Sequence, residues 1–473
     1  MTLRFGTDGI RGVANHELTP ELVTALGRAA ARVLGNGVPF VVGRDTRRSG
    51  PLLQAALVAG ICAEGADVEL AGVLPTPGIA HLAKVRGAPA AAISASHNSY
   101  EDNGIKLFAA GGRKVTEEIE RHVEQELRRL ATAVPDPGPT GAGVGVDRQM
   151  KDPVGEYVAH VVGALEGRSL DGLTIVLDCA NGAAFRTAPK IFRELGAEVE
   201  VLHALPDGTN INRDCGSTAP ESLREAVLAS GARAGLALDG DGDRVIAVDE
   251  RGGIVDGDQL MAVCALDLKE RERLRGNAVV ATVMSNLGLR RCLAAHDIEF
   301  VEGPVGARNV LDELERRGLA FGGEQSGHVI FADAATTGDG ALTGAFLLDV
   351  VHGTGHALSL LTGVMQRFPQ VLRNVAVRDR AGLDADASFW AEVREVEDEL
   401  APDGRVLVRA SGTEPLVRVM VEAASIERAE LVADRLVESV EQACGGAVKA
   451  GPGPTAFGSG SGDVTEDRPY GDH

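Results

Sequence analysis

Three stretches of the chain repeat one alternation of apolar and polar positions. In the first, PFVVGRDTRRSG (39–50), an apolar run breaks into a polar loop; a helical period follows, and GADVELAG returns to alternation from Gly65. TIVLDCANGAA (174–184) opens the second, with a helical stretch and then GAEVEVLHA from Gly196. AVVATVMSN (278–286) opens the third, with LGLRRCLAAH and then DIEFVEG from Asp297. Short β-branched runs alternating with helical periods predict βαβ units and mostly parallel sheets. Three related α/β domains are expected. From about Arg373 to Val448 the runs shorten to RVLVRA and LVRVMVEA before a closing helical period, ERAELVADRLVESVEQA, which predicts a smaller α+β domain.

Thr132 to Met150, TAVPDPGPTGAGVGVDRQM, is rich in Pro and Gly and reads as a linker. The stretch AGPGPTAFGSGSGDVTEDRPYGDH from Ala450 lacks apolar content and predicts a disordered tail. The expected divisions are 1–148, 149–250, 251–370 and 371–448, with the tail at 449–473. A length of 473 residues suits about three or four domains.

Composition adds exclusions. Aromatic residues make up only 3%, so the cores must be built from Ala, Val, Leu and Ile. The formal charge of −21 disfavours nucleic-acid binding, which needs a dense positive stripe, but leaves room for a local basic pocket for a small anion. Cys62, Cys179, Cys215, Cys264, Cys292 and Cys444 form no C-x-x-C pair and sit mostly in apolar surroundings. Buried free thiols in a reducing compartment are expected. MTLRFGTDG lacks the profile of a signal peptide and no apolar run reaches membrane-span length, so a cytoplasmic location is expected.

The strongest chemical signal is LALDGDGDRVIAVDE (236–250). Asp239, Asp241 and Asp243 are spaced by two, with glycines between the carboxylates. Three carboxylates this close repel one another unless a cation holds them, and hard oxygen ligands suit Mg²⁺. An EF-hand fails because Arg244 stands where the Ca²⁺ loop requires Gly. In VLVRASGTEPLVRVMVEA (406–423), Arg409, Ser411, Thr413 and Arg418 surround a Ser-Gly-Thr turn of the kind that cradles phosphate; an ordinary hairpin with rim arginines is the plainer reading. FGGEQSGHVIF (321–331) compresses Glu324, Gln325, Ser326 and His328 between apolar runs, where a carboxylate and hydroxyl can bind sugar hydroxyls and His328 can move protons. RFGTDGIRGVAN (4–15) places Arg11 in a Gly-flanked loop. A last stretch, ISASHNSYEDNGIKLF (93–108), follows an apolar AAAI run with Ser94, Ser96 and Ser99, then His97, an Asn103-Gly104 turn and Lys106. One of its serines suits a covalent carrier; equally, Ser94, Ser96 and Asn98 suit the cap of a following helix. No G-x-S-x-G, H-E-x-x-H, Gly-Lys or G-x-G-x-x-G pattern occurs.

Together, FGTDGIRG at Phe5, SASHN at Ser94, NGIK at Asn103, DGDGDR at Asp239, GGEQSGH at Gly322, TTGDG at Thr336 and RASGTEP at Arg409 resemble the motifs of the α-D-phosphohexomutase superfamily. They stand in family order across about residues 4 to 445. The resemblance implies three related α/β domains with mixed sheets plus a smaller C-terminal α+β domain, arranged around a central cleft. It implies that Ser96 is carried as phosphoserine and that Asp239, Asp241 and Asp243 bind one Mg²⁺ together with an oxygen of that group. Arg11, His97, Lys106 and Arg244 would line the transfer site. Glu324 and Ser326 would hold sugar hydroxyls, with His328 in proton transfer, and Arg409, Ser411, Gly412, Thr413 and Arg418 would grip the unreactive phosphate.

The implied partner is a small-molecule sugar phosphate, with a hexosamine 1,6-bisphosphate as intermediate and activator. Neither nucleic acid nor membrane is implied, and a homodimer is permitted. GEQSGH resembles the glucosamine-type sugar loop, so the expected reaction interconverts glucosamine 6-phosphate and glucosamine 1-phosphate, towards UDP-N-acetylglucosamine. Alternatives are a glucose or mannose phosphate mutase with the same machinery, a non-catalytic sugar-phosphate sensor and a Mg²⁺-dependent phosphatase. Two positions depart from the family pattern: Ser99 replaces the usual proline after S-H-N, and Ala307 replaces the aspartate of V-G-D-R.

Overall fold

The structure is a computed structural model, and it describes residues 5–6, 9–132, 137–377, 383, 386–410 and 416–444. It divides into two compact units, one made of Met1–Ser285 and Leu289–Met365, the other of Asn286–Gly288 and Gln366–His473.

The first unit contains three mixed sheets built on one plan, as the threefold apolar pattern predicts. In each, a first strand pairs in parallel with the strand that follows it through a helix. On its other side the first strand pairs in parallel with a third strand, and the third pairs antiparallel with a fourth. The first strands are Phe40–Arg44, Thr174–Asp178 and Ala278–Thr282; their successors are Val68–Val73, Glu198–Leu202 and Glu299–Gly303. The third strands are Ala90–Ile93, Ala234–Leu238 and Phe321–Gly323, and they turn back into Asp102–Phe108, Val245–Asp249 and Val329–Phe331. The central strands are buried on both faces, which is why they read as unbroken Ala, Val and Leu runs.

This plan sets where the chemistry goes. The segments joining third to fourth strand carry Ser96, the aspartate triplet, and the Glu324–His328 loop. All three lie at the carboxyl ends of parallel strands, where open α/β sheets place their ligands. The second unit holds an antiparallel sheet of Gln370–Ala376, Leu416–Glu422 and Arg405–Ala410, packed on the helices Ala387–Leu400 and Ile426–Ala443. Three α/β domains and a smaller α+β domain are thus present.

Four local readings change. Asp147–Gln149, within the expected linker, pairs in parallel with Val68–Leu70 as the edge strand of the first sheet. Arg11 lies not in a loop but on the strand Ile10–Val13, opposite Gly104. Asn103 and Gly104 are not a turn either; they belong to the strand Asp102–Phe108. No helix follows Ser96, since the chain turns straight into that strand, and the helix-cap reading falls. None of the six cysteines is in a disulfide, and five of them are buried. The expected disordered tail and the Ser411-Gly412-Thr413 turn lie outside the described residues.

Candidate active site

Ser96 is buried and its backbone takes φ 54°, a left-handed conformation that costs a non-glycine residue about 1–3 kcal/mol. Something must hold it there. Arg47, itself fully buried, donates from Nη2 to the carbonyls of Ser96 and Asn98 and from Nη1 to those of Ser99 and Asp102. Its Nε meets Asp45 Oδ2 at 2.8 Å, and the Ser94 hydroxyl donates to the same oxygen at 2.6 Å. Asn212 adds a second grip, its Nδ2 donating to the carbonyls of Ser96 and Asn98 at 2.9 and 3.0 Å. Gly240 is required beneath this loop, since a Cβ there would come 2.5 Å from the Ser96 carbonyl oxygen. Ser94 therefore supports the loop, while Ser99 is exposed and contributes a carbonyl.

The clamp aims the Ser96 hydroxyl at Asp239, to whose Oδ2 it donates at 2.6 Å. Asp239, Asp241 and Asp243 are all buried, and one oxygen from each lies within 4.8 Å of the others. Burial, reinforced by Asp243 and Asp241, pushes Asp239 well above the usual carboxylate range. Burial alone would raise Asp241 too, but Lys106, 2.6 Å away, and the Thr76 hydroxyl hold it below that range. Lys106 also reaches Asp243 at 3.3 Å. Arg244 Nε lies 3.9 Å from Asp243 Oδ1, a second but looser cationic neighbour of the three buried carboxylates.

The donor set fits a hard divalent cation. Lys106 occupies the Oδ2 atoms of Asp241 and Asp243, whereas the Oδ1 atom of each is buried without a hydrogen-bond partner. Two buried carboxylate oxygens without a hydrogen bond, one of them 3.9 Å from Arg244 Nε, beside a third carboxylate are a set of oxygen ligands suited to a small cation. Burial, then the nearby Arg244 and Arg11, hold His97 at a pKa of about 4, so it is neutral at pH 7. Its Nδ1 is 3.4 Å from Ser96 Oγ. Arg11 reaches Asn98 Oδ1, and Arg244 donates its backbone N–H to Asp239 Oδ1.

The third loop closes on the second. The chain from Glu324 to His328 joins two short antiparallel strands, and Gly327 (φ 87°) admits no side chain because a Cβ would come 2.0 Å from the Val245 carbonyl oxygen. His328 is buried, with Nε2 accepting the Gly338 N–H at 3.2 Å and lying 4.0 Å from Asp243 Oδ2. Desolvation lowers its pKa, so the ring is neutral. Ser326 is exposed, and Glu324 accepts the Gly306 N–H, tying this loop to the Pro304–Arg308 segment. Arg308 is in turn held by both carboxylate oxygens of Glu120. Thr336 donates to the Gly112 carbonyl, and Asp339 caps the helix Gly340–Thr354 while accepting from Tyr157. A cavity of about 720 Å³ elsewhere in this unit, lined by His81, His160, Arg271 and Phe346 among others, includes none of these residues.

In the second unit Arg409 and Arg418 stand directly opposite each other on adjacent strands. Burial, and then Arg418, lower the pKa of Arg409. Like charges directly opposite each other on a sheet are destabilising. Sequence reasoning missed Arg47 and Asn212. The signal for Arg47 was present, because Asp45-x-Arg47 follows an apolar strand at the same place in its domain as Asp178 and Asn181 in theirs.

Four family models match the chain in order: the phosphoglucomutase/phosphomannomutase alpha/beta/alpha domains I, II and III at residues 2–133, 155–253 and 256–368, and the C-terminal domain at 372–439. The chain belongs to the phosphoglucomutase/phosphomannomutase family. A phosphoglucosamine mutase of Streptomyces coelicolor is 52% identical over 93% of this chain and 99% of that protein, and one of Symbiobacterium thermophilum is 51% identical over the same shares. Among solved structures, a phosphoglucomutase/phosphomannomutase family protein from Burkholderia thailandensis has a TM-score of 0.79 at 28% identity, covering 93% of this chain and 98% of that one. An N-acetylphosphoglucosamine mutase from Aspergillus fumigatus, in complex with GlcNAc-6P and magnesium, shares the fold at a TM-score of 0.68 and 17% identity, covering 94% of this chain and 96% of that one.

Proposed function

We propose that this enzyme interconverts glucosamine 6-phosphate and glucosamine 1-phosphate by a phosphoryl relay through Ser96. The observation that carries the reading is the clamped Ser96 hydroxyl, 2.6 Å from a buried aspartate triplet. Relatives of about half-identical sequence that bear the name phosphoglucosamine mutase supply the sugar.

In the relay, phosphorylated Ser96 meets a sugar hydroxyl in line with its P–O bond. That bond breaks as the new P–O bond to the sugar forms, and the hydroxyl proton returns to the Ser96 oxygen, giving the 1,6-bisphosphate. After the intermediate turns over, Ser96 attacks the other phosphate and the steps run in reverse. A Mg²⁺ held by Asp239, Asp241 and Asp243 supplies neutralisation of the charge on the moving group. Lys106, Arg11 and Arg244 add fixed positive charge around it, and neutral His97 and His328 are able to accept or hold a proton. Glu324 and Ser326 orient the sugar hydroxyls. Arg409 and Arg418, with Ser411, Gly412 and Thr413, hold the phosphate that is not reacting. Six cysteines outside any disulfide suit work in the cytosol, feeding UDP-N-acetylglucosamine synthesis.

A coupled assay over glucosamine, glucose and mannose phosphates, with Ser96→Ala alongside, tests the reading. Glucosamine phosphate should be turned over best and Ser96→Ala should be inactive. A clear preference for glucose phosphate would overturn the sugar, free phosphate as main product would overturn the mutase, and an active Ser96→Ala would overturn the nucleophile.

A further inference from the structure

We propose that Asp178, His203 and Cys215 form a second cation site, for a thiophilic divalent ion of the Zn²⁺ class, separate in place and in chemistry from the aspartate triplet. One oxygen, one nitrogen and one sulfur from these residues lie within 4.8 Å of one another. They come from three separate segments. Asp178 ends the strand Thr174–Asp178, His203 directly follows the parallel neighbour Glu198–Leu202, and Cys215 precedes the short turn Gly216–Thr218. A carboxylate, an imidazole and a thiolate are the ligand types that Zn²⁺ takes, and three protein ligands leave a fourth tetrahedral position open. Mg²⁺ would be poorly served, since the set offers it one hard oxygen.

An ordinary structural role accounts for only part of the cluster. Asp178 accepts the backbone N–H of Ala180 on Oδ1 and that of Gly216 on Oδ2, which explains a buried carboxylate. His203 Nδ1, 3.1 Å from Asp178 Oδ1, explains its charge balance. The buried Cys215 thiol has one partner of its own, Asn181 Nδ2 at 4.0 Å, and that single long contact does not account for its lying within ligand distance of both other side chains. Hydrogen-bonded carboxylates of this kind are also what metal sites use to orient their ligands, and Asp178 keeps lone pairs beyond those the two amides take.

The backbone around the cluster is held under strain. Of eleven described non-glycine residues with positive φ, one is His203 itself at 47° and four flank the cluster: Ala180 at 52°, Asn181 at 47°, Asn212 at 57° and Asp214 at 52°. Each such conformation costs on the order of 1–3 kcal/mol and persists only where the surroundings enforce it. Charge also balances. With Asp178 and Cys215 each carrying −1 and His203 neutral, a divalent ion makes the site neutral, the condition under which a buried ionic group is tolerable. The binding step exchanges the Cys215 S–H bond for an S–metal bond, and because the hydrogen bond to Asp178 favours the protonated His203 ring, the ring's proton leaves to water together with the thiol's. The site is also connected to the nucleophile loop: Asn212, three residues before Cys215, grips the Ser96 carbonyl, and the Asn181 carbonyl accepts from Thr46.

The test uses the full chain with excess Mg²⁺ to fill the triplet, titrated with Co²⁺ as a spectroscopic probe and then with Zn²⁺. The expected result is one Co²⁺ per chain with a thiolate-to-cobalt charge-transfer absorption, displaced by Zn²⁺. The absorption should be lost in Cys215→Ser, reduced in His203→Gln and retained in Asp241→Asn. No such absorption in the wild type, or its survival in folded Cys215→Ser, overturns the proposal. If Cys215→Ser does not fold, half-exposed His203 decides: unchanged Co²⁺ affinity and absorption in His203→Gln overturn the site, and their weakening supports it.

Discussion

Replacing Arg47 by lysine keeps the positive charge beside Asp45 but removes the planar fork, so it isolates the positioning of Ser96 from the charge balance of the core. Arg47 reaches four carbonyls, and two of them, on Ser96 and Asn98, keep Asn212 as a partner in the variant. The carbonyls of Ser99 and Asp102 lose the guanidinium. Hydrogen bonds from a charged donor contribute about 1.5–3 kcal/mol each, so the loss is about 3–6 kcal/mol, a large share of the 5–15 kcal/mol that holds a typical domain folded. Function is affected too, because the Ser96 carbonyl also loses its bond from Arg47 and keeps only Asn212 against the strained φ. A misplacement of about 1 Å costs about 100-fold in rate. Arg47→Lys is therefore expected to lower kcat about 100-fold while KM for the sugar phosphate changes little, since Arg47 is sealed beneath the loop. Steady-state kinetics on the mutase reaction, with urea unfolding alongside, check both halves. Asn212→Ala shares two acceptors with Arg47, so the double variant should lose less than the sum of the singles. A kcat within a few-fold of wild type in a folded Arg47→Lys would refute the clamp.

Other perturbations separate the parts of the site. Ser96→Ala should lower mutase turnover by roughly 10⁴-fold or more while leaving the fold intact by circular dichroism. Lys106→Met leaves Asp241 and Asp243 buried without their cation. Unfolding in chelator should show a loss of about 3–5 kcal/mol, partly recovered by Mg²⁺; recovery by Mg²⁺ no greater than in wild type would count against the triplet as the binding site. Asp241→Asn should raise the Mg²⁺ concentration for half-maximal activity at least about 10-fold, read from a metal titration of the rate. His81, stacked on His160, is held at a pKa of about 4 by burial and by that neighbour. The unfolded chain therefore takes up its proton first, and this contribution is present in full above about pH 6.5 and is lost as pH falls towards 4. Urea midpoints at pH 4.5 and 7 should differ less in His81→Gln than in wild type.

The threefold strand-helix-strand pattern was legible because its central strands are buried on both faces and so read as apolar runs bounded by glycine loops. The aspartate triplet was legible because its spacing has no stable solution without a cation or a buried counter-charge. Arg47 was legible only in its place after an apolar strand, since its side chain looks in sequence like any surface arginine. Its role depends on carbonyls some fifty residues away that only the fold brings to it. Asp147–Gln149 escaped for the opposite reason. Its three exposed residues carry no alternation, and only the pairing with Val68–Leu70 makes them a strand.

The equivalence of the three loops explains why one chain can gather these groups at all. Ser96, the aspartate triplet and Glu324–His328 each follow the third strand of their sheet, where a parallel strand hands over to an antiparallel partner. A single topology used three times offers three loops of one kind, and each carries a different set of groups: a buried hydroxyl, three buried carboxylates and a polar turn. Their cross-contacts run through backbone groups that require glycine, at Gly240 beneath Ser96 and at Gly327 against Val245. Adding a methyl group at either would push two loops apart without deleting any functional side chain. Gly240→Ala is thus expected to impair turnover without removing any group that touches substrate. A fully active Gly240→Ala would mean that the close approach of the loops is incidental.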